Sequence, residues 1–126
     1  MRYGGLLAGF GGLLGASGVA ISALAAHTGG DTRLLLAAQF ALIHAAALPG
    51  FVALGSGPVP RRGFLLAGLV LAVGASLFSG DLVMRALAGD KLFAMAAPIG
   101  GTLMILGWLV AALAGVLMAR EYVRVD

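Results

Sequence analysis

Apolar residues form four long runs in this chain, and short polar segments separate them. The runs cover residues 4–26, 33–54, 63–87 and 92–118. At about 1.5 Å per helical residue, each can cross a hydrocarbon layer of about 30 Å. The runs are continuously apolar rather than alternating, so they predict transmembrane helices and not barrel strands. We therefore expect an all-α integral membrane four-helix bundle that forms one domain over residues 1–126.

The polar segments contain residues that begin and end helices. Asp31 or Thr32 can cap the second helix, after a turn that starts at His27. Pro49 lies near the end of the second run, where proline should bend or narrow the last turn. Segment 55–62 reads Gly-Ser-Gly-Pro-Val-Pro-Arg-Arg and is the clearest loop in the chain.

Pro98 interrupts the fourth run. Proline cannot donate a helical hydrogen bond, but it fits the first turn of a helix. A helix over residues 98–118 is about 21 residues long and matches one bilayer. Residues 92–97 would then form a bent or interfacial lead-in, and residues 120–126 a polar tail.

The first run resembles a secretory signal in outline. Arg2 precedes an apolar stretch, and Ala23-Leu24-Ala25 is similar to a cleavage site. The run is about 22 residues long, however, whereas the apolar part of a signal has about 7–15. We therefore expect residues 4–26 to be retained as the first span.

Composition supports the membrane interpretation. Hydrophobic residues make up 61% of the chain, charged residues 10%, and the mean hydropathy is +1.07. The absence of cysteine excludes disulfides, thiolate metal sites and cysteine nucleophiles. The net charge is +3, but no basic run with interleaved aromatic residues is present, so nucleic acid is not an expected partner.

The distribution of basic residues predicts an orientation. With four spans, one side of the membrane carries both termini together with Arg2, Arg61, Arg62, Arg120 and Arg124. The other side carries Arg33, Arg85 and Lys91. Cytoplasmic loops are enriched in Lys and Arg, so we expect a multi-pass protein of the bacterial inner (plasma) membrane with both termini in the cytoplasm.

Small residues recur at helical spacing. In the first span, Gly4, Ala8, Gly12, Ala16 and Ala20 make one face, and Gly11, Gly15, Gly18 and Ser22 make another. Gly107, Ala111 and Gly115 repeat the pattern in the fourth span. Small residues let helices approach closely in lipid. The pattern predicts packing within the bundle, or, as an alternative for one face of the first span, docking against another subunit.

His44 is the deepest ionisable residue. It lies about 16 Å from Arg33 along the predicted helix, close to the middle of the membrane, and Gln39 lies about one turn above it. One interpretation is a neutral histidine that is hydrogen-bonded inside the bundle. The alternative is a proton relay or a contact to a ligand. Trp108 is also near the middle of its span, which indicates interior packing.

A polar cap is predicted on the side opposite the termini. Its candidate members are His27, Asp31, Ser79, Asp81 and Arg85. Asp81 and Arg85 are four positions apart on one helical face and can form an ion pair. The polar cap is either a structural network that caps helices, or a binding site for a lipid headgroup, a small anion or a periplasmic domain.

The sequence offers no catalytic arrangement. No carboxylate lies mid-membrane, as proton-coupled exporters of cations require, and no serine has an Asp-His pair that would make it a nucleophile. We expect no catalytic residue, no metal site and no cofactor.

Three segments carry a family resemblance: Leu77-Phe78-Ser79-Gly80-Asp81-Leu82, Ala97-Pro98-Ile99-Gly100-Gly101 and Gly107-Trp108. In combination they resemble the small membrane-protein family called domain of unknown function 423. The segments 22–27 and 44–48 are similar to its first-span ending and its second-span His-Ala motif. One departure is that Phe40-Ala41 stands where the family often has Tyr-Gln, so either a polar contact to His44 is missing or Gln39 replaces it from another face.

The resemblance implies a four-helix inner-membrane protein with eukaryotic relatives and no established activity. The motif positions expected to be structural are Phe78, Gly80, Pro98, Gly100, Gly101 and Trp108. Two functions stay open. The first is a non-catalytic accessory, assembly or structural partner of a larger membrane complex. The second is a binding or transport module, acting as an oligomer on a small molecule, a lipid or protons. Expected partners are the lipid bilayer and either another membrane protein or a second copy of the chain.

Overall fold

The computed structural model describes residues 2–57 and 61–125, and this part of the chain contains four α-helices and no β-strand. The helices are α1 (Arg2–His27), α2 (Thr32–Gly55), α3 (Arg62–Leu87) and α4 (Ala96–Val125). Each is long and apolar enough to cross a membrane. The predicted all-α membrane four-helix bundle is confirmed. Residues 58–60, the middle of the predicted loop, lie outside the described residues.

Local chemistry sets the helix ends. The Asp31 carboxylate accepts the backbone N–H of Arg33 at 2.8 Å and so caps α2. Gly30 follows the end of α1 with a φ of 76°, and its N–H donates to the Ala25 carbonyl at 2.8 Å. Glycine adopts this left-handed conformation without steric cost, which allows the tight reversal into α2.

Helix α4 differs from the predicted fourth span at both ends. It begins at Ala96 and has Pro98 in its first turn, whereas residues 92–95 form a turn. It continues to Val125, so the predicted polar tail is helical as far as that residue. A helix does not have to stop where the hydrophobic run stops, because water can solvate its last polar turns.

The central helices are α2 and α3. Helix α1 packs against α2 and to a lesser extent against α3, and α4 packs against α3. The core consists of Leu14, Ala41, Ala45, Leu71, Ala75 and Met104, with Phe40, Phe51 and Phe78 packed around it. Large apolar side chains such as Leu6 and Leu13 on α1 and Leu109 on α4 are exposed. These surfaces meet hydrocarbon when the helices span a bilayer.

Two glycines bring the backbones of α3 and α4 together. A Cβ atom on Gly100 would lie 2.6 Å from the Phe78 nitrogen and 2.7 Å from the Gly74 oxygen. A Cβ atom on Gly74 would lie 2.8 Å from the Gly100 oxygen. No side chain fits between backbones at these distances, so the α3–α4 contact requires glycine at both positions.

The two small faces of α1 have different surroundings. A Cβ atom on Gly11 would meet Leu48 at 3.1 Å, and one on Gly18 would meet Leu42 at 2.7 Å, so this face packs on α2. Gly12, Ala16 and Ala20 of the other face are exposed.

Substitution of Gly100 by alanine should destabilise the protein by about 2 kcal/mol, because the new methyl group meets rigid backbone of α3. Gly101→Ala is the matched control. A Cβ atom there has no neighbour within 4 Å, and alanine favours the helix by up to about 1 kcal/mol. Unfolding in mixed detergent micelles, followed by circular dichroism, measures both. Equal stability of the two variants would show that the helices do not touch at Gly100.

Candidate functional site

Asp81 is a fully buried carboxylate that joins α3 to the loop before α4. Its side chain is 0% exposed. The Arg85 Nε atom donates to Oδ2 at 2.8 Å, and the backbone N–H of Leu92 donates to Oδ1 at 2.7 Å. Both oxygens are therefore occupied. The predicted Asp81–Arg85 pair is present, and its carboxylate also fixes the chain as it turns from α3 towards α4.

A second ion pair connects α2 to this network. Arg33 donates from Nη2 to the Asp31 Oδ2 atom at 2.8 Å and from Nη1 to the Arg85 carbonyl oxygen at 3.0 Å. The Arg33 guanidinium also lowers the pKa of Asp31 from 3.8 to about 2, chiefly by hydrogen bonding. Asp31 therefore stays ionised down to strongly acidic pH, and Arg33 links the start of α2 to the end of α3.

Ser79 links the same two helices inside the protein. Ser79 is 4% exposed, and its hydroxyl donates to the Ala37 carbonyl oxygen of α2 at 2.9 Å. Such a bond across helices is stabilising in lipid, where water cannot replace it. The side chain is thus a tie between α2 and α3.

His44 is buried, and both of its ring nitrogens have partners. Nδ1 lies 2.7 Å from the Phe40 carbonyl oxygen, and Nε2 lies 3.2 Å from the Trp108 Nε1 atom. The indole nitrogen can only donate and the carbonyl can only accept. These partners assign the neutral tautomer with the proton on Nδ1. A second ring proton would face the indole N–H and displace it.

Aromatic rings surround His44. The Phe40 ring stacks on the imidazole with 6.0 Å between centroids, and Phe78 contacts Phe40 at 4.8 Å. On the other side, Trp108 lies 5.6 Å from Phe51. Phe40 and Phe78 stand between His44 and the polar cap, so apolar side chains separate these two polar centres.

The remaining predicted residues lie apart from these centres. His27 is exposed at the end of α1, and its side chain makes no hydrogen bond to Asp81 or to any other described residue. Gln39 is exposed on α2 and does not contact His44 through a hydrogen bond. The Phe40 carbonyl and Trp108 supply the contacts that Gln39 was a candidate to provide.

The family-like motifs of α3 and α4 meet, although not every residue takes part. Phe78 faces Gly100 across the helix contact, and a Cβ atom on Gly80 would lie 3.9 Å from the Leu92 side chain. Pro98 is exposed, and Gly101 has open space where a side chain would be. The close contact therefore uses Phe78 and Gly100 of the two motifs, together with Gly74, which lies outside them.

Several partners were not identified from the sequence, among them Trp108, which donates to His44. Arg33 could have been recognised, because it follows the capping Asp31 by two positions. The Leu92 N–H and the Phe40 carbonyl are backbone groups, which carry no sequence signal. The described residues hold no group of three His, Asp or Glu side chains placed to bind a metal ion.

Replacement of His44 by leucine should shift the indole N–H resonance of Trp108 upfield, because the proton loses its acceptor. Trp108 is the only tryptophan in the sequence, so the signal is a single cross-peak in a ¹H–¹⁵N spectrum. His27→Leu is the control and should leave it in place. A double-mutant cycle with Trp108→Phe should give about 1 kcal/mol of coupling. An unmoved resonance in His44→Leu would contradict the contact.

Replacement of Asp81 by asparagine should cost about 1–2 kcal/mol of unfolding free energy, and replacement by alanine about 3 kcal/mol. Asparagine can still accept the Leu92 N–H, whereas alanine leaves both that donor and Arg85 without a partner. Asp90→Asn, in the exposed part of the same loop, should change stability by less than about 0.5 kcal/mol. Titration with denaturing detergent tests this order, and Asp81→Ala as stable as Asp90→Asn would refute it.

Comparison with known proteins supports the resemblance drawn from the motifs. No solved structure matches the chain. The model of a family described as "Protein of unknown function (DUF423)" matches residues 20–101, about two thirds of the chain. The match includes the second and third helices, the polar cap residues and the Gly100 contact. The chain is a member of this DUF423 family of proteins of unknown function.

Proposed function

We propose that the protein is a non-catalytic accessory or assembly partner of a larger membrane complex. Its internal polar groups support this role, because Asp81, Ser79 and His44 form their hydrogen bonds with other groups of the same chain. A transport role would need connected polar groups from the polar cap to His44. The Phe40 and Phe78 rings between them favour the accessory role.

The main support for the proposal is the side-chain amide of Gln39, which is not hydrogen-bonded within the described residues. Gln39 is exposed on α2 among the exposed side chains of Leu35, Leu36, Leu42 and Ile43. It makes no hydrogen bond within the part of the chain that the structure describes. A glutamine amide has two donors and an acceptor, and hydrocarbon satisfies none of them. A polar group on a partner transmembrane helix would do so.

A neighbouring surface suits close contact with such a helix. Gly12, Ala16 and Ala20 leave one side of α1 free of large side chains. Small residues at these positions let another helix approach the backbone. We propose that glycine has both uses in this protein, namely packing within the bundle and contact with the partner.

We also propose that the protein lies in a bacterial inner membrane with both termini in the cytoplasm. Arg61 donates to the Tyr122 hydroxyl at 3.3 Å and lies 5.5 Å from the centre of its ring. This contact supports the assignment of Arg61, directly before α3, and the end of α4 to one side. That side has the larger number of basic residues, as cytoplasmic sides do.

Gln39→Leu should abolish binding of the partner chain without destabilising the fold. Leucine is better solvated by lipid than an unpaired amide, so the isolated variant should be at least as stable as the unchanged protein. Native mass spectrometry of protein extracted in lipid nanodiscs measures the stoichiometry of bound chains. We expect a stoichiometric partner with the unchanged protein and at least tenfold less with Gln39→Leu.

Gln39→Asn, which keeps the amide, is the control and should retain part of the binding. Extraction of the unchanged protein without another kind of chain would overturn the accessory role. The same partner occupancy in Gln39→Leu would overturn the assignment of the contact to Gln39.

A further inference from the structure

The seam between α1 and α3 contains a long groove. Three cavities, of about 320, 430 and 340 Å³, follow one another along it. The first two share Leu7 and Leu69, and the last two share Phe10 and Ser76, so they lie end to end along one groove. From Tyr3 to Ile21 the groove follows α1 for about 27 Å, close to the thickness of the hydrocarbon layer.

Three serines line one end of this groove. Each donates its hydroxyl proton to a backbone carbonyl: Ser17 to Leu13 at 2.8 Å, Ser76 to Ala72 at 2.7 Å and Ser79 to Ala37 at 2.9 Å. A hydroxyl oxygen that has donated its only proton can still accept hydrogen bonds. This end of the groove therefore offers acceptors, and a ligand must bring the donor.

The surroundings restrict that donor to a neutral group. The residues lining the serine end are otherwise apolar, and no acidic residue is among those described there. Ser17 lies ten positions before the end of α1, about 15 Å along the helix. An ammonium group at this depth would be costly without a carboxylate partner. A hydroxyl group matches both the acceptors and the depth.

The rest of the groove has the shape and surface for a hydrocarbon chain. Leu7, Phe10, Leu69 and Val73 line it with large side chains. Leu69 and Val73 are 55% and 45% exposed, so the groove is open on the surface that faces lipid. A transmembrane helix would need small residues along its path for close backbone contact, and a single flexible chain does not.

We propose that the α1–α3 groove binds a neutral lipid that carries a hydroxyl group on one long hydrocarbon chain. The hydroxyl donates to Ser17 or Ser76, and the chain passes Phe10 and Val73 towards Tyr3. An ordinary phospholipid does not fit this description, because it has two chains and a headgroup that stays at the membrane surface.

The test uses hexadecanol with a photoactivatable diazirine in its chain, and the methyl ether of the same molecule as the matched probe. Full-length protein in phosphatidylcholine nanodiscs is labelled with each, and unlabelled competitor gives the affinity as a mole fraction. We expect saturable adducts on α1 and α3 beside the groove. The one hydrogen bond that the alcohol can donate and the ether cannot should make the alcohol bind about threefold more tightly than the ether.

Variants separate the hydroxyl contact from the fit of the chain. The double variant Ser17→Ala with Ser76→Ala should weaken binding of the alcohol about threefold, to the affinity of the ether, and leave the ether unchanged. Thr102→Val is the control, because Thr102 is an exposed hydroxyl that bonds to its own helix on α4, outside the groove. Val73→Trp, at a half-exposed position in the middle of the groove, should abolish saturable labelling by both probes.

Equal affinities for the alcohol and the ether would overturn the proposal. Saturable adducts on α2 or α4 in place of the groove would do the same, as would a cross-link from the groove to another protein chain in native membranes. The results with the two probes do not bear on the accessory role, because Gln39 lies on the exposed face of α2 and not in the groove. The cross-link would instead assign a protein partner to the groove.

Discussion

Hydrocarbon provides no substitute for a missing hydrogen-bond partner, and this constraint determines where the polar residues of this protein lie. Asp81 and His44 are tolerable inside the bundle because each has two partners that match its donors and acceptors. The same bonds bind the α3–α4 loop to α3 and α4 to α2. The buried polar side chains thus connect helices of the bundle.

The shape of the bundle follows from where small and large residues face each other. Glycine at positions 74 and 100 lets α3 and α4 touch through their backbones, and Gly11 and Gly18 bring α1 close to α2. Leu7 and Phe10 instead face the seam with α3. Two parallel helices with bulky side chains between them stay apart, and the groove is the space that results.

Most of the fold could be predicted from the sequence, but only part of the site. Continuous hydrophobicity predicts the helices, and a spacing of four positions predicts the Asp81–Arg85 pair. Counting residues gives the depth of His44 but not the direction in which a neighbouring helix points its side chains, so the Trp108 contact could not be deduced. The same holds for Gln39. Its position along α2 could be counted from the sequence, but not that its side chain points outward, away from the bundle.

The two ion pairs also bear on how the chain enters a membrane. Asp31 and Arg33 are two positions apart, and Asp81 and Arg85 are four positions apart on a single helix. Each pair can therefore form within one emerging helical hairpin, before the rest of the bundle exists. A segment whose opposite charges are already joined is less costly to move through hydrocarbon than one with separate charges. In the proposed orientation, the residues that stabilise the finished polar cap would thus also lower the barrier to translocating it during biogenesis.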